Sequence, residues 1–467
     1  MVLPAAPAAR GRYYESAMTT LNENRQLVLR VEPADGMIDL PRVITLDGLK
    51  PHELVIVSAR TQRAGGVTWE SRATFMADAR GTVDLTRDAP VLGDYAEVAP
   101  MGLIWSQQPE ASNSQNMFAD DVMAPLVTAL AAETLLGDAR AEASLTQHFA
   151  APGVTRTDIR EAGLVGTLFT PATPGPHPVV AVLNGSTGGI NEARGALYAS
   201  NGYRAFALGY FRAPGLSRYI TGTPLEYLET GLRWAHDNLE PRDGFVAVSG
   251  QSRGGELSLL LGATWPSLVS AVIAYVPGAM VHGAQGAADP DNGGWNGPAW
   301  TLGGKPLTHL WQDNKAVHWH PWDGDTPPNR HHNVILEGLK DVELAAKSRI
   351  PVERIQAPVL LISGRDDRAW PSSLYSRMVV ADLEGARHPW LVRHLDFDNA
   401  GHSINFPYLP ATQIVREHPV SKVPFTSGGT FSGNAAADDG SWRGVLAFLD
   451  EVTGRGVKSG ARAGRSA

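Results

Sequence analysis

One serine in this sequence stands in the setting of a catalytic nucleophile. Ser252 lies between Gly250 and Gly254 in a Gly-x-Ser-x-Gly pattern. An apolar run at residues 245–248 precedes it and a leucine-rich helical pattern follows, so the serine falls where a strand turns sharply into a helix. The glycines suit that turn, because side chains at their positions would collide with the neighbouring strand and helix. Since the chain has no cysteine, disulfides, thiolate metal sites and a cysteine nucleophile are excluded.

The base and the acid that such a serine needs are expected downstream, with the acid first. Residues 359–363 form a predicted strand, and Asp366 and Asp367 follow its carboxyl end, where side chains point into the ligand crevice of a parallel sheet. We favour Asp367 from its position in the turn, and Asp366 remains an alternative that could instead cap the turn or the next helix. His402, on a later predicted loop, is expected to accept the Ser252 proton while Asp367 orients its imidazole.

Two backbone N–H groups are expected to hold the oxyanion that forms during acyl transfer. The first belongs to Arg253, which directly follows the nucleophile at the start of the predicted helix. We assign the second to Ser186, in the glycine-rich stretch 184–189 that follows the apolar run 179–183. A simple glycine-rich turn is the alternative interpretation of that stretch.

Composition limits the classes of protein to which the chain can belong. Its 467 residues are 43% hydrophobic and 19% charged, which predicts two globular domains with insertions. The formal net charge of −8 argues against nucleic-acid binding, because phosphate contacts need a basic face. No apolar run is long enough to span a membrane, and the N-terminus lacks the pattern of a signal peptide. We therefore expect no nucleic-acid or membrane partner and a cytoplasmic location.

Two kinds of pattern divide the chain. Residues 1–22 are predicted to be a flexible arm, and residues 23–150 a small all-β sandwich domain with a linker, because short β-like runs alternate with turn residues. Within that part, residues 120–135 are predicted to be mixed or helical. Residues 151–454 alternate continuous apolar runs with helical patterns, which predicts a mostly parallel sheet with helices on both faces. Together with the turn at Ser252 and the order of the candidate acid and base, this pattern predicts an α/β-hydrolase domain. Residues 455–467 are predicted to be a disordered tail.

A long irregular insertion at residues 278–351 interrupts the second domain. Long insertions between core elements are usually functional, so its tryptophans are expected to roof a pocket, although they could merely pack the insertion onto the sheet. Its histidines and aspartates match no recognised ligand arrangement, so we expect no metal and no cofactor. The tryptophans are Trp295, Trp300, Trp311, Trp319 and Trp322, and the possible ligands are His309, His318, His320, His331, His332, Asp323 and Asp325.

With these residues placed, the sequence resembles the acyl-CoA thioesterase and bile-acid-CoA:amino-acid N-acyltransferase family over about residues 25 to 453. Pro-Met-Gly-Leu-Ile-Trp-Ser at residues 100–106 looks like part of the family's β-sandwich domain. Gly-Gln-Ser-Arg-Gly-Gly-Glu at 250–256 and Gly-Arg-Asp-Asp at 364–367 look like parts of its hydrolase domain. The resemblance implies an acyl-thioester substrate, a serine-bound acyl intermediate and no metal. The family's amino-acid-conjugating members place cysteine at the nucleophile position, so Ser252 is similar to its thioesterases.

The leading hypothesis is a serine-dependent hydrolase of acyl-CoA or acyl-carrier thioesters. The alternatives are an acyltransferase that moves the acyl group to an amine or alcohol, a dienelactone-type carboxylester hydrolase, and a non-catalytic binding module on the same fold. The negative net charge implies that any site for the phosphates of CoA is local. Arg194 and Arg212, which follow two predicted sheet strands, are candidates for that site, with solvated surface positions as the alternative.

Overall fold

The computed structural model describes residues 26–110, 117–317 and 331–455. The predicted arm at residues 1–22 and residues 456–467 of the predicted tail lie outside the described residues. The strands and helices of the described part are β1 Val28–Glu32, β2 Asp35–Met37, β3 Val43–Asp47, β4 Leu54–Arg63, β5 Val67–Met76, β6 Val83–Asp84, β7 Leu92–Gly93, α1 Gly102–Trp105, β8 Gln108–Pro109, β9 Leu126–Thr134, β10 Arg140–His148, β11 Thr155–Ile159, β12 Val165–Thr170, β13 Val179–Leu183, α2 Glu192–Ser200, β14 Arg204–Gly209, β15 Thr223–Pro224, α3 Leu225–Asn238, β16 Val246–Gln251, α4 Arg253–Thr264, β17 Ala271–Tyr275, β18 Trp300–Leu302, β19 Lys305–Pro306, α5 His331–Gly338, α6 Val342–Ser348, β20 Val359–Gly364, α7 Ser372–Gly385, β21 Val392–Phe397, β22 Val415–Glu417, β23 Pro424–Thr426 and α8 Phe431–Val452.

The first part of the chain folds into β-sheets. Strands β1, β3 and β6 form one antiparallel sheet, and β2, β10, β9, β4, β5 and β7 lie side by side in another, in which only β2 pairs in parallel. Side chains from both sheets share one apolar core, which includes Leu29 and Ile44 from the first sheet and Val57 and Phe75 from the second. Alternate residues of β4 are buried, as expected for a strand with one face against a core.

The prediction for residues 120–135 is wrong, because Leu126–Thr134 form strand β9. Its alanines favour a helix by intrinsic propensity. Every second residue of β9 is nevertheless buried, and the strand pairs with β4 on one side and β10 on the other. Burial and pairing on both edges outweigh the weak local preference.

The second part is built around one large sheet. Within the described ranges it contains eight strands in the order β11-β12-β14-β13-β16-β17-β20-β21. The first two pairings are antiparallel and the others are parallel. Helices cover both faces, because α3, α4 and α7 contribute to one apolar core and α2 and α8 to another. The predicted fold class, an α/β-hydrolase-type sheet preceded by antiparallel β-sheets, is confirmed.

The insertion at residues 278–351 contains regular elements as well as loops. Strand β18 pairs with β15 in parallel and with β19, and α5 and α6 follow before β20. Residues 318–330, with Trp319, Trp322 and several of the possible metal ligands, lie outside the described residues. Among the described helices, none has the length and apolar character needed to cross a bilayer.

Candidate active site

The turn between β16 and α4 holds Ser252 in a strained conformation. Its φ of 59° and ψ of −116° lie outside the regions that a residue with a side chain normally adopts. Its N–H donates to the Tyr275 carbonyl oxygen at 2.9 Å. A Cβ atom at Gly250 would lie 2.1 Å from the Gly254 carbonyl oxygen, and one at Gly254 would lie 2.6 Å from that of Asn184. The two glycines are therefore required by the tightness of this turn.

Ser252, His402 and Asp367 form one hydrogen-bonded chain. The His402 Nε2 atom lies 2.8 Å from Ser252 Oγ, and His402 Nδ1 lies 2.8 Å from Asp367 Oδ2. A carboxylate can only accept, so Nδ1–H donates to Asp367 and leaves Nε2 to accept the serine proton. Asp367 and His402 are only 2% and 6% exposed, which protects these bonds from competition by water. The arrangement is that of a nucleophile with its general base and an orienting acid.

The loop after β20 distinguishes the two neighbouring aspartates. Asp367 Oδ1 accepts the N–H groups of Ala369 and Trp370 at 2.9 and 3.1 Å, which leaves Oδ2 directed at His402. Asp366 instead pairs with Arg368 and accepts a backbone N–H from a neighbouring loop. The structure therefore brings Asp367, and not Asp366, against the histidine.

The expected oxyanion donors lie beside the nucleophile. Arg253 is the first residue of α4, so its N–H has no acceptor within the helix. In the described part of the chain, the N–H of Ser186 also has no acceptor. The neighbouring Gly185 is so close to the nucleophile that a Cβ atom there would lie 3.8 Å from Ser252 Oγ. Both N–H groups are therefore available to an oxygen next to Ser252.

His418, which the sequence analysis did not single out, orients the side chain of Ser186. Its Nδ1 accepts the N–H groups of Val420 and Ser421 at 3.2 and 3.4 Å, so the proton resides on Nε2 and is donated to Ser186 Oγ at 3.0 Å. Burial lowers the pKa of His418 to about 3, and the ring is neutral at neutral pH. The Ser186 hydroxyl therefore keeps its own hydrogen for a second hydrogen bond. No local sequence pattern marks this pairing of distant residues.

A buried polar cluster lies directly under the nucleophile turn. Glu256 accepts from Arg253 Nη1 at 3.0 Å, from Trp300 Nε1 at 2.7 Å and from His282 Nδ1 at 3.0 Å. Burial favours the neutral acid, but the Arg253 guanidinium and His282 outweigh it and hold the pKa of Glu256 below its usual value. Burial lowers the pKa of His282, so its ring is neutral and Nε2 accepts the hydroxyl of Tyr375 at 2.9 Å. The i, i+3 spacing of Arg253 and Glu256 on one predicted helix could have indicated the ion pair of this cluster from the sequence.

A cavity of about 570 Å³ opens onto the triad. The insertion lines it with Trp295, His331 and Ile335, and Met117 and Phe118 line it from the segment before β9. The two other described tryptophans of the insertion, Trp300 and Trp311, are buried and do not line it. The expectation of an aromatic roof therefore holds for Trp295 among the described tryptophans.

The two arginines considered for CoA phosphates differ in position. Arg194 is 2% exposed, its guanidinium lies 4.2 Å from the centroid of the Tyr275 ring, and Nη2 donates to the Asn405 carbonyl oxygen. It cannot meet a phosphate from solvent, so both predictions for Arg194, phosphate site and solvated surface, are wrong. Arg212 is exposed and lines the cavity.

Comparison with known proteins identifies the family. Residues 39–161 match the model described as the Acyl-CoA thioester hydrolase/BAAT N-terminal region, and residues 223–455 match that of the BAAT/Acyl-CoA thioester hydrolase C terminal. The chain belongs to the acyl-CoA thioesterase/BAAT family. The predicted family and the prediction of a hydrolase-type enzyme are therefore confirmed.

Relatives within this family extend over most of the chain. Acyl-coenzyme A thioesterase 1 of Rattus norvegicus is 29% identical over 92% of this chain and 97% of its own length. Acyl-coenzyme A amino acid N-acyltransferase 2 of Mus musculus is 28% identical over 89% of this chain and 96% of its own. Among solved structures, an alpha/beta hydrolase from a Medee basin deep-sea metagenome library is 17% identical and covers 65% of this chain and 99% of its own, with a TM-score of 0.38.

Proposed function

We propose that this protein hydrolyses acyl-CoA thioesters through a covalent acyl-enzyme on Ser252. The observation that carries the proposal is the Ser252–His402–Asp367 hydrogen-bond chain, found in a family whose full-length relatives include acyl-CoA thioesterases. The cavity beside the triad has a mixed lining, and its aromatic members, which include Phe118, Trp295 and Phe425, support an acyl substrate, because apolar side chains commonly line small-molecule sites.

In the first half-reaction, Ser252 Oγ attacks the thioester carbonyl carbon while its proton moves to His402 Nε2. Asp367 stabilises the imidazolium that forms. The N–H groups of Arg253 and Ser186 receive the negative oxygen. The tetrahedral intermediate then collapses, the carbon–sulfur bond breaks, and His402 gives its proton to the departing sulfur.

In the second half-reaction, water replaces the thiol. His402 removes one water proton as the oxygen attacks the acyl carbon, and the same proton returns to Ser252 Oγ when the acyl-oxygen bond breaks. The products are a free carboxylic acid and CoA. The enzyme ends in its starting protonation state, so no further reactant is needed.

A second candidate is transfer of the acyl group to an amine. It is favoured by the relationship to an N-acyltransferase and would use the same acyl-enzyme, with the amine replacing water. The serine at the nucleophile position favours hydrolysis, because the resemblance associates cysteine with the conjugating members. Product analysis with amino acids present separates the two, since a hydrolase releases free acid whatever the acceptor.

The direct test is steady-state hydrolysis of acyl-CoA substrates by the Ser252→Ala variant. We expect kcat to fall by about 10⁴-fold or more, because loss of the nucleophile disables the whole triad. A matched control is Ser217→Ala, which removes an exposed hydroxyl whose bonds are confined to its own loop. Near wild-type activity of Ser252→Ala would refute the proposal.

A further inference from the structure

The hairpin of β22 and β23 directs a cation into the cavity. Arg416 lies opposite Phe425 in the antiparallel register, and directly opposed residues of such a pair project to the same face. Both residues line the cavity. Val415 and Glu417, which flank Arg416, are exposed on the other face. The hairpin geometry therefore aims the guanidinium at the substrate space.

Arg416 differs from Arg253 and Arg212, the other arginines that line the cavity, in having no polar partner among the described residues. Arg212 Nη1 donates to the Thr187 carbonyl oxygen at 2.6 Å. Arg253 is fully engaged with Glu256, Gly283 and Gln285. Among residues 26–110, 117–317 and 331–455, by contrast, no group forms a salt bridge or hydrogen bond with Arg416. Its guanidinium carbon instead lies 5.2 Å from the centroid of the Phe425 ring. Arg416 is only partly exposed, and placing a charge away from water is costly unless it is paired. A partly buried guanidinium that faces the cavity is therefore suited to bind an anionic ligand.

The guanidinium stays charged in this position. Burial lowers the pKa of Arg416 to about 10. The group is therefore cationic at neutral pH, and within the described residues the N–H edge of the guanidinium has no acceptor. That edge matches the two oxygens of a carboxylate.

The position of Arg416 relative to the triad indicates which part of the substrate it meets. The Phe425 ring also stacks on His331, with centroids 6.0 Å apart and planes at 20°. The same ring also contacts His418, with centroids 6.1 Å apart, and His418 donates to Ser186 Oγ at 3.0 Å. Arg416 is thus connected through Phe425 and His418 to Ser186, the expected oxyanion donor beside the reacting carbonyl. The CoA diphosphate is separated from the thioester by the whole pantetheine arm, whereas the far end of a short acyl chain falls within this reach.

Building on the proposed thioesterase activity, we propose that Arg416 and Phe425 form a subsite for a carboxylate at the far end of the acyl chain. The preferred substrates would then be CoA thioesters of dicarboxylic acids. Phe425 would hold the guanidinium in place and shield its ion pair with the substrate from water, which strengthens that pair.

The test compares matched acyl chains in the wild type, Arg416→Met and Lys422→Met. Arg416→Met keeps an unbranched apolar side chain beside Phe425 and removes the charge. Lys422→Met is the control, because it removes an exposed cation from the turn of the same hairpin. The substrates are dicarboxylyl-CoA thioesters from butanedioyl-CoA to decanedioyl-CoA, the neutral acyl-CoA of each length, and the corresponding N-acetylcysteamine thioesters, which lack the phosphates of CoA.

We expect the wild type to show a higher kcat/KM for at least one dicarboxylyl-CoA than for its neutral counterpart. Arg416→Met should lower that kcat/KM by roughly 10- to 100-fold, the range for losing a hydrogen bond to a charged group, and should lower kcat/KM for the matched neutral acyl-CoA by a clearly smaller factor. Lys422→Met should behave as the wild type. A wild type with no preference at any length overturns the proposal. The proposal is also overturned if Arg416→Met lowers kcat/KM equally for the dicarboxylyl-CoA and the neutral acyl-CoA thioesters but not for the N-acetylcysteamine thioesters. That result would assign Arg416 to a CoA phosphate.

Calorimetry on the Ser252→Ala variant separates this inference from the proposed activity. The variant should bind the preferred dicarboxylyl-CoA more tightly than the matched neutral acyl-CoA, whether or not the wild type turns either over. Equal affinities would overturn the subsite. Hydrolysis of neutral acyl-CoA by the wild type is the separate readout of thioesterase activity.

Discussion

Replacing Glu256 by glutamine tests whether the buried cluster supports the nucleophile turn. Glutamine has nearly the same shape as glutamate and can still accept a hydrogen bond from Trp300 Nε1, but the substitution removes the negative charge that faces Arg253. The Arg253 guanidinium would then be a buried cation without a counter-ion. His282 can adapt, because its Nδ1 could accept from the new amide while Nε2–H donates to Tyr375. Arg253 has no such adjustment, so the lost charge dominates the outcome.

The expected loss of unfolding free energy follows from the burial of Glu256 and Arg253. Glu256 is 0% exposed and Arg253 is 2% exposed, and removing one partner of a buried pair typically costs about 3–5 kcal/mol of unfolding free energy. Removing both charges leaves no unpaired cation. The double variant Glu256→Gln/Arg253→Met is therefore expected to be more stable than Glu256→Gln alone. Because Arg253 also begins α4 beside Ser252, a small displacement there should lower kcat by up to about 10²-fold.

The assay is urea-induced unfolding of the wild type, both single variants and the double variant, with acyl-CoA hydrolysis measured on each. Glu343→Gln is the matched control, because that exposed glutamate pairs with Lys347 on the surface of α6 and its loss should leave the transition nearly unchanged. The reasoning is refuted if Glu256→Gln unfolds like the wild type. It is equally refuted if the double variant is less stable than Glu256→Gln.

Two further predictions concern the acid and a buried histidine. Asp367→Asn should lower kcat by about 10³- to 10⁴-fold, because the His402 tautomer is no longer enforced. Asp366→Asn should have a kcat close to that of the wild type. A larger loss of kcat in Asp366→Asn than in Asp367→Asn in steady-state assays would mean that the acid was misassigned. Because the pKa of His418 is about 3 in the folded state and about 6.5 when unfolded, the unfolded chain binds the extra proton first as pH falls. Lowering the pH from 7 to 5 should therefore cost about 2 kcal/mol of unfolding free energy through this residue. His418→Gln keeps a donor for Ser186, and its unfolding free energy, measured by urea titration, should lose that part of the pH dependence. An identical pH dependence of stability in the wild type and in His418→Gln would contradict the lowered pKa assigned to His418.

The positions of Ser252, Asp367 and His402 were predictable because each residue follows a recognisable local pattern. The turn that holds Ser252 has no room for side chains at Gly250 and Gly254. Asp367 and His402 come after β20 and β21, and parallel strands bring their carboxyl ends to one edge of the sheet. The order of these three residues along the chain and their positions near the ends of strands therefore account for most of the geometry of the triad.

The remaining parts depend on contacts between segments far apart in the sequence. His418 meets Ser186 across 232 residues, and no spacing rule encodes such a pair. The role proposed for Arg416 depends on its contacts with the other described residues, which only the three-dimensional structure reveals. The error at β9 has another cause, because its alanine-rich sequence masks an alternation that becomes decisive only once β4 and β10 flank the strand.

The central claim is that the acyl group passes through Ser252, and mass spectrometry of the enzyme quenched during turnover of acyl-CoA tests it most directly. The account predicts an acyl-sized mass increase on the peptide that contains Ser252 in the wild type, and none in Ser252→Ala. Turnover without any acyl adduct on Ser252, or an adduct that persists in Ser252→Ala, would contradict it.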